Sequence, residues 1–314
     1  MRLGLQIPNF TLPVPDNELF DAVAGQAAAA EEAGFDSVWV MDHFFQLPPL
    51  GGPSQPMFEA YTLLGALAAR TTRVRLGALV TGVTYRNPAL LAKIVTTLDV
   101  ISAGRAMLGI GAAWYDVEHA GLGVDFPPAG ERLDRLEEAV QICRAMFRHE
   151  HPSFEGRYYR IADAWNLPRP VQPGGPPLLI GGGGERRTLR LVAQYADYCN
   201  VSGDPATVRH KVEVLHEHCA AVGRDPAEVV VSRLSTLVLT DSPDETEGVR
   251  GMLRDAAGDA AGGFDVGQED DLVARVEELV DAGVQYLIVN LPTAGEEAIH
   301  RVGSVLGTRF ADPA

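Results

Sequence analysis

Strict alternation of strand and helix patterns constrains this chain more than any other feature. Leu3–Ile7 is a short apolar run, and after Asn17 the positions Leu19, Val23, Ala27 and Ala30 recur at helical spacing until Gly34 stops them. The pattern then repeats. Further strands are predicted at Asp36–Val40, Val74–Thr81, Ala106–Gly111, from Pro177, and at Asp197–Val201, Val229–Leu239 and Tyr286–Asn290. Helices are predicted over Met57–Arg70, over Pro88–Ile101 with proline in the first turn, along Leu133, Leu136, Val140, Cys143 and Phe147, and from about Glu185. Four more are predicted at Thr207–Val222, Glu245–Ala257, Leu272–Val280 and Glu296–Leu306. Ala33–Val40 and Ala282–Val289 echo each other, each a glycine helix stop feeding a buried strand. Eight strands with intervening helices predict one (β/α)8 (TIM) barrel domain over residues 1–314, with an active site at the C-terminal strand ends. A doubly wound sheet with an appended domain is the alternative. His149–Pro176, with five prolines, is too long for an ordinary connection and reads as an insertion.

The segment Pro177–Thr188 is the most pointed local signal: an apolar strand, the four glycines Gly181, Gly182, Gly183 and Gly184, then charged residues opening a helix. Glycines let backbone N–H groups approach a ligand, and a helix N-terminus favours an anion, so a phosphate fits there. A bare sharp turn fits equally. A dinucleotide fingerprint would need glycine where Arg186 or Arg187 stands, and no Gly-Lys-Ser/Thr follows for a nucleotide-triphosphate loop. Arg186, Arg187 and Arg190 offer local positive charge beside the run.

Composition removes several classes of function. The formal net charge of −16 argues against nucleic acid, whose phosphates need concentrated Lys and Arg. Three unpaired cysteines, Cys143, Cys199 and Cys219, suggest neither a disulfide framework nor zinc, and predict a reducing, cytoplasmic setting. No apolar stretch approaches a membrane span or a signal peptide. His216-Glu217-His218 falls on a helix where i and i+2 diverge, and His149-Glu150-His151 lies in a loop, so no metal is expected.

Chemistry is concentrated at strand ends. Asp42 and His43 close the second strand, and histidine is the side chain that titrates near neutrality, with an adjacent carboxylate able to tune it. Leu79 and Val80 end the third strand with an apolar rim that could support a ring. Gly111 and Ala112 end the fourth, where small residues admit a ligand and Trp114 offers a stacking face.

The stretches Trp39–Phe44, Leu76–Pro88, Gly109–His119, Arg132–Met146, Phe154–Gly156 and Ile180–Asp197 together resemble the luciferase-like monooxygenase superfamily, in particular its branch that uses the deazaflavin coenzyme F420. The resemblance implies a (β/α)8 barrel with insertions, His43 as proton donor or acceptor beside a redox ring with Asp42 in its surroundings, and a non-proline cis peptide bond at Leu79–Val80 supporting that ring. It also implies phosphate binding at Gly182–Gly184, a homodimer, and hydride transfer between F420 and a small organic substrate. A glutamate that sugar-phosphate dehydrogenase relatives carry near Trp114 is absent. The alternatives are an FMN-dependent monooxygenase using oxygen and a partner reductase, a non-catalytic flavin binder, and a barrel enzyme whose glycine run holds a phosphorylated substrate. The His149–Pro176 and Asp259–Gly267 segments are expected to wall part of the substrate pocket.

Overall fold

Leu3, Leu5 and Ile7 alternate with Gly4 and Gln6 in a first strand, β1 (Arg2–Ile7), that is buried on both faces, as expected of a parallel sheet covered by helices. In the computed structural model, which describes residues 1–257, 263–291 and 295–310, the chain continues through α1 (Leu19–Glu32), β2 (Ser37–Val40), α2 (Ala60–Ala68), β3 (Arg75–Ala78), β4 (Thr81–Gly82) and α3 (Pro88–Ile101). β5 (Ala106–Gly111), α4 (Asp116–Leu122), α5 (Ala129–Arg148), the hairpin β6 (Phe154–Glu155) and β7 (Arg160–Ile161), β8 (Leu178–Gly181) and α6 (Thr188–Tyr195) follow. The last third comprises β9 (Tyr198–Val201), α7 (Pro205–Val222), β10 (Val230–Leu239), α8 (Pro243–Ala257), β11 (Phe264–Gly267), α9 (Glu269–Asp281), β12 (Tyr286–Asn290) and α10 (Glu296–Phe310).

Parallel pairing runs β12-β1-β2-β3-β5-β8-β9-β10 and closes from β10 back onto β12, so eight strands form the barrel. The doubly wound alternative is thereby excluded. β10 is ten residues long: Val230–Arg233 pair with β9 and Ser232–Thr236 with β12, while Thr236–Leu239 pair with β11. β11 and α4 were not anticipated, and the predicted strand Val74–Thr81 is interrupted after Ala78. The echo of Ala33–Val40 in Ala282–Val289 is structural: Gly34 and Gly283 both have positive φ, 84° and 103°, and each leads a helix into a strand that flanks β1.

Two apolar cores follow from the strand period of two. Outward residues such as Leu5, Val38, Leu76 and Ile180 pack under the helices, whereas Trp39, Met107, Leu179, Tyr198, Tyr286 and Ile288 fill the barrel. The polar tips inside are paired: Trp39 Nε1 donates to Ser37 Oγ at 2.5 Å, Ser37 meets the Tyr286 hydroxyl, and Arg2 donates to the Tyr198 hydroxyl at 2.6 Å. Above that plug, the inward positions nearest the C-terminal ends include Gln6, Gly111, Gly181, Asn200, Thr236 and Asn290. Gln6 lies level with Asn290 and Gly181 with Asn200.

The segment after α5 lies along the outside. Glu138 accepts the N–H groups of Arg157, Tyr158 and Tyr159 in the β6–β7 turn, and Asp99 on α3 accepts those of Val171 and Gln172. Among the described residues no helix is long and apolar enough to cross a membrane.

Candidate functional site

Two connected spaces open at the C-terminal end of the barrel, and His43 lines both, together with Leu79, Trp114 and Leu234. One is a groove of about 360 Å3 running from Asp42 and Tyr85 across the ends of β5 and β8 to Thr188 and Asn200. The other is a chamber of about 930 Å3 reaching toward α8 and β11.

The groove floor is the Leu79–Val80 peptide, which is cis as the resemblance implied. Its conformation is fixed from both sides. The Leu79 carbonyl accepts from Gln6 Nε2 at 3.2 Å, and the Val80 side chain fills the space over β5 and β8 where a Cβ on Gly111 or Gly181 would come within 2.8 Å and 2.9 Å of it. These two glycines serve first to seat Val80. Gly111, Ala112, Trp114, Gly181 and Gly182 all line the groove with Leu79 and Val80, while Gly183 and Gly184 lie beyond its end. Gly182 has φ +126°, and among the described residues the N–H groups of Gly183 and Gly184 meet no protein acceptor. The helix begins at Thr188 rather than near Glu185, with residues 185–187 forming a turn.

The nearby cations differ from expectation. Arg187 is held by Asp134 at 2.5 Å and Arg190 by Glu137 at 3.3 Å, because the acidic face of α5 passes alongside; Arg186 is exposed. The cation at the glycine run is Lys211 of α7, whose Nζ donates to the Gly183 carbonyl at 2.7 Å and lies 3.8 Å from Glu185.

Asp42 and His43, neighbours in sequence, have separate partners. Asp42 is buried and accepts two guanidinium contacts from Arg86, at 2.7 and 2.9 Å, plus the Gly82 N–H at 3.1 Å. Burial works to raise its carboxyl pKa; Arg86 and the Gly82 N–H oppose that, and with both oxygens held we assign an ion pair. Burial acts to lower the Arg86 pKa in turn, and Asp42 and Glu59 more than reverse it. The expectation that Asp42 tunes His43 is therefore corrected, since its oxygens are turned to Arg86 and Gly82.

The carboxylate at His43 is Glu118, 75 residues away on α4. His43 Nδ1 lies 2.6 Å from Glu118 Oε1, with the glutamate side chain fully buried and the histidine 14% exposed. The Tyr85 hydroxyl donates to the same oxygen, and the N–H groups of Phe44 and Phe45 donate to Oε2 at 2.6 and 3.1 Å. Burial alone would raise the Glu118 pKa, but the bonds from His43, Tyr85 and Phe44 hold it below the usual range. Glu118 is thus an acceptor with every donor supplied. Nδ1–H donation to it leaves Nε2 as the basic nitrogen, with no protein partner among the described residues. Next to it on α4, buried His119 is a scaffold group, with Nδ1 2.7 Å from the Tyr115 carbonyl and Nε2 2.7 Å from Thr84 Oγ1.

Glu118, Tyr85, Arg86, Gln6, Thr188, Asn200 and Lys211 were missed as site residues. For Glu118 a signal existed: Asp116 and Glu118 place acidic residues in the first turn of a helix at a strand end. The chamber holds a second correction. None of residues 149–176 lines it; Phe264 does, whereas residues 259–262 of the other expected wall lie outside the described residues.

A family model described as luciferase-like monooxygenase matches residues 1–250. An F420-dependent glucose-6-phosphate dehydrogenase of Kineococcus radiotolerans is 40% identical over 210 residues, 66% of this chain and 60% of that protein. An uncharacterised protein of Mycobacterium tuberculosis is 30% identical over 260 residues, 76% of this chain and 89% of that one. The chain thus spans about three fifths of the length of the dehydrogenase relative. Among solved structures, the coenzyme F420-dependent tetrahydromethanopterin reductase of Methanopyrus kandleri superposes with a TM-score of 0.79 at 21% identity, covering 98% of this chain and 99% of that one. A Streptomyces bottropensis monooxygenase does so with 0.81 at 22%, covering 99% and 98%. At these identities the two structures establish the barrel fold.

Proposed function

This chain belongs to the luciferase-like monooxygenase family, and on that premise we propose that it is an oxidoreductase that exchanges a hydride between coenzyme F420 and a small organic substrate. The observation that carries the reading is His43 at the junction of groove and chamber, anchored through Nδ1 on Glu118 with Nε2 left unpartnered. The choice of F420 is supported by the dehydrogenase relatives, named for that cofactor, at 34–40% identity.

The groove suits a flat ring with a phosphate-bearing arm. Leu79 and Val80 would support the ring, Trp114 would flank it, and Gly182 with the free N–H groups of Gly183 and Gly184 and the Lys211 charge would hold the phosphate. When bound, a deazaflavin supplies or takes up a hydride. Interconverting a carbinol and a carbonyl also moves one proton at the substrate oxygen. His43 Nε2 accepts or returns that proton, and Glu118 keeps Nδ1–H in place and stabilises the imidazolium. Asp42 acts as a positioning residue: its pair with Arg86 and its bond to Gly82 lock the β2 and β4 ends between which His43 and the Leu79–Val80 floor are set.

The protein is further proposed to be cytoplasmic and a homodimer. Leu90, Ile101, Trp165, Leu167 and Val171 are each more than half exposed, and Lys93 to Leu167 and Gly104 to Val171 contacts place the last two beside α3 and its C-terminal end, which supports an apolar face there. Fluorescence titration with F420 and FMN tests the central reading. F420 should bind more tightly; tighter FMN binding with oxygen-dependent turnover alongside a reductase would replace it with the monooxygenase.

A further inference from the structure

We infer that the chamber receives a neutral, mainly apolar substrate with a single polar end at His43, and that it excludes phosphorylated sugars. The inference rests on the reading of the groove as the cofactor site.

The chamber wall carries it. Among the described residues lining the chamber there is no Lys, Arg, Asp or Glu, and His43 is the one titratable side chain. The stretches outside the described residues, 258–262, 292–294 and 311–314, contain no Lys, Arg or His either. A phosphate dianion brought here would be stripped of water with no cation to replace it, which is far costlier than burying neutral groups. The net charge of −16 adds repulsion.

The apolar lining is deliberate in its sources. Met41, Leu47 and Leu50 come from the segment after β2, and Leu234 and Val238 from β10. From α8 come Val249, Met252 and Leu253, spaced i, i+3 and i+4. Such a stripe ordinarily packs against a protein core. Here it faces the cavity, and Met252 is 64% exposed. Of the uncharged polar groups, Gln6 and Asn290 stand in the barrel mouth, 3.4 Å apart, with Thr236 level with Asn290, whereas Asn9, Thr11 and Gln55 come from the segments after β1 and β2. At about 930 Å3 the chamber is at the upper end of cavities that enclose drug-sized ligands. This lining contrasts with what the name of the dehydrogenase relatives requires of theirs, a site for glucose 6-phosphate.

The test uses the full chain, with and without F420, and measures binding of unbranched secondary alcohols from butan-2-ol to decan-2-ol and of glucose 6-phosphate by calorimetry. Affinity should rise about three- to fourfold per added methylene, as burial of a CH2 group predicts, and glucose 6-phosphate should not bind at millimolar concentration. Val249→Arg should flatten the chain-length dependence and leave F420 affinity unchanged. Met252→Glu, at a more exposed position, serves the same purpose if the first variant fails to fold. Glucose 6-phosphate binding as tightly as the longest alcohol, or affinity indifferent to chain length, overturns the inference. Failure of F420 to bind while alcohols bind as expected would sink the cofactor reading and leave the chamber assignment standing.

Discussion

The groove and the chamber share one rim of the barrel but are built differently. Nearly every groove residue belongs to a strand end and the few residues following it, so Leu79–Val80, Gly111–Trp114 and Gly181–Gly182 each arrive as a contiguous motif. The chamber instead draws scattered residues from β1 and the segment after it, the segment after β2, β10, α8, β11 and β12, which meet only once the barrel has closed. On the proposed function, the surface that holds the cofactor is made from short motifs on rigid strand ends, and the surface that selects the substrate is assembled from distant pieces.

His43 belongs to both, so it offers the strongest way to break this division. His43→Ala should reduce turnover on the order of 10²–10⁴-fold, the usual contribution of general acid–base catalysis, while F420 affinity stays within a factor of a few. An equal loss in both would make His43 a binding residue and erase the boundary. Next in size is the anchor beneath it. Removing one member of a buried ion pair costs about 3–5 kcal/mol, so Arg86→Ala should lower unfolding stability by roughly that amount in denaturant titration. A change below about 1 kcal/mol would mean that Asp42 is not ionised, given that a surface pair contributes no more than that.

A smaller effect separates the two spaces from the other side. Lys211→Ala should weaken F420 binding about 10–100-fold, the range for a hydrogen bond to a charged group, and leave alcohol binding in the chamber unaltered. Equal weakening of both ligands would show that the groove and chamber are one site. The smallest effect is the pH term at Glu118. Its pKa in the folded protein lies below the ordinary 4.5, so its contribution to stability is complete above that value and is lost as the pH falls through the folded pKa. The stability difference between the native protein and Glu118→Gln should therefore narrow as the pH falls below about 4.5. A difference that widens in acid would contradict the hydrogen-bonded carboxylate described here.

The same contrast explains what could be read from the chain beforehand. The barrel was legible because helical and strand periods alternate cleanly and Gly34 and Gly283 mark matching stops. The groove was legible because its motifs are local. Glu118 was not, since its role depends on α4, a seven-residue helix too short to show a period, swinging a side chain back over β2. The arginines misled for a related reason: Arg187 and Arg190 flank the glycine run in sequence, but the acidic side of α5 claims them and leaves Lys211, more than 20 residues on, as the cation. Long-range charge pairing leaves no mark on a local pattern.

The overhang of β10 separates the chamber wall from the closed barrel. Barrel closure uses Val230–Thr236, whereas the strand beyond pairs with β11. Substitutions at Val249, Met252, Leu253 or Phe264 therefore alter the chamber wall without disturbing a single rung of the closed ladder. On the proposed function, preference for one organic molecule over another can drift on this annex without touching the groups that move the hydride and the proton.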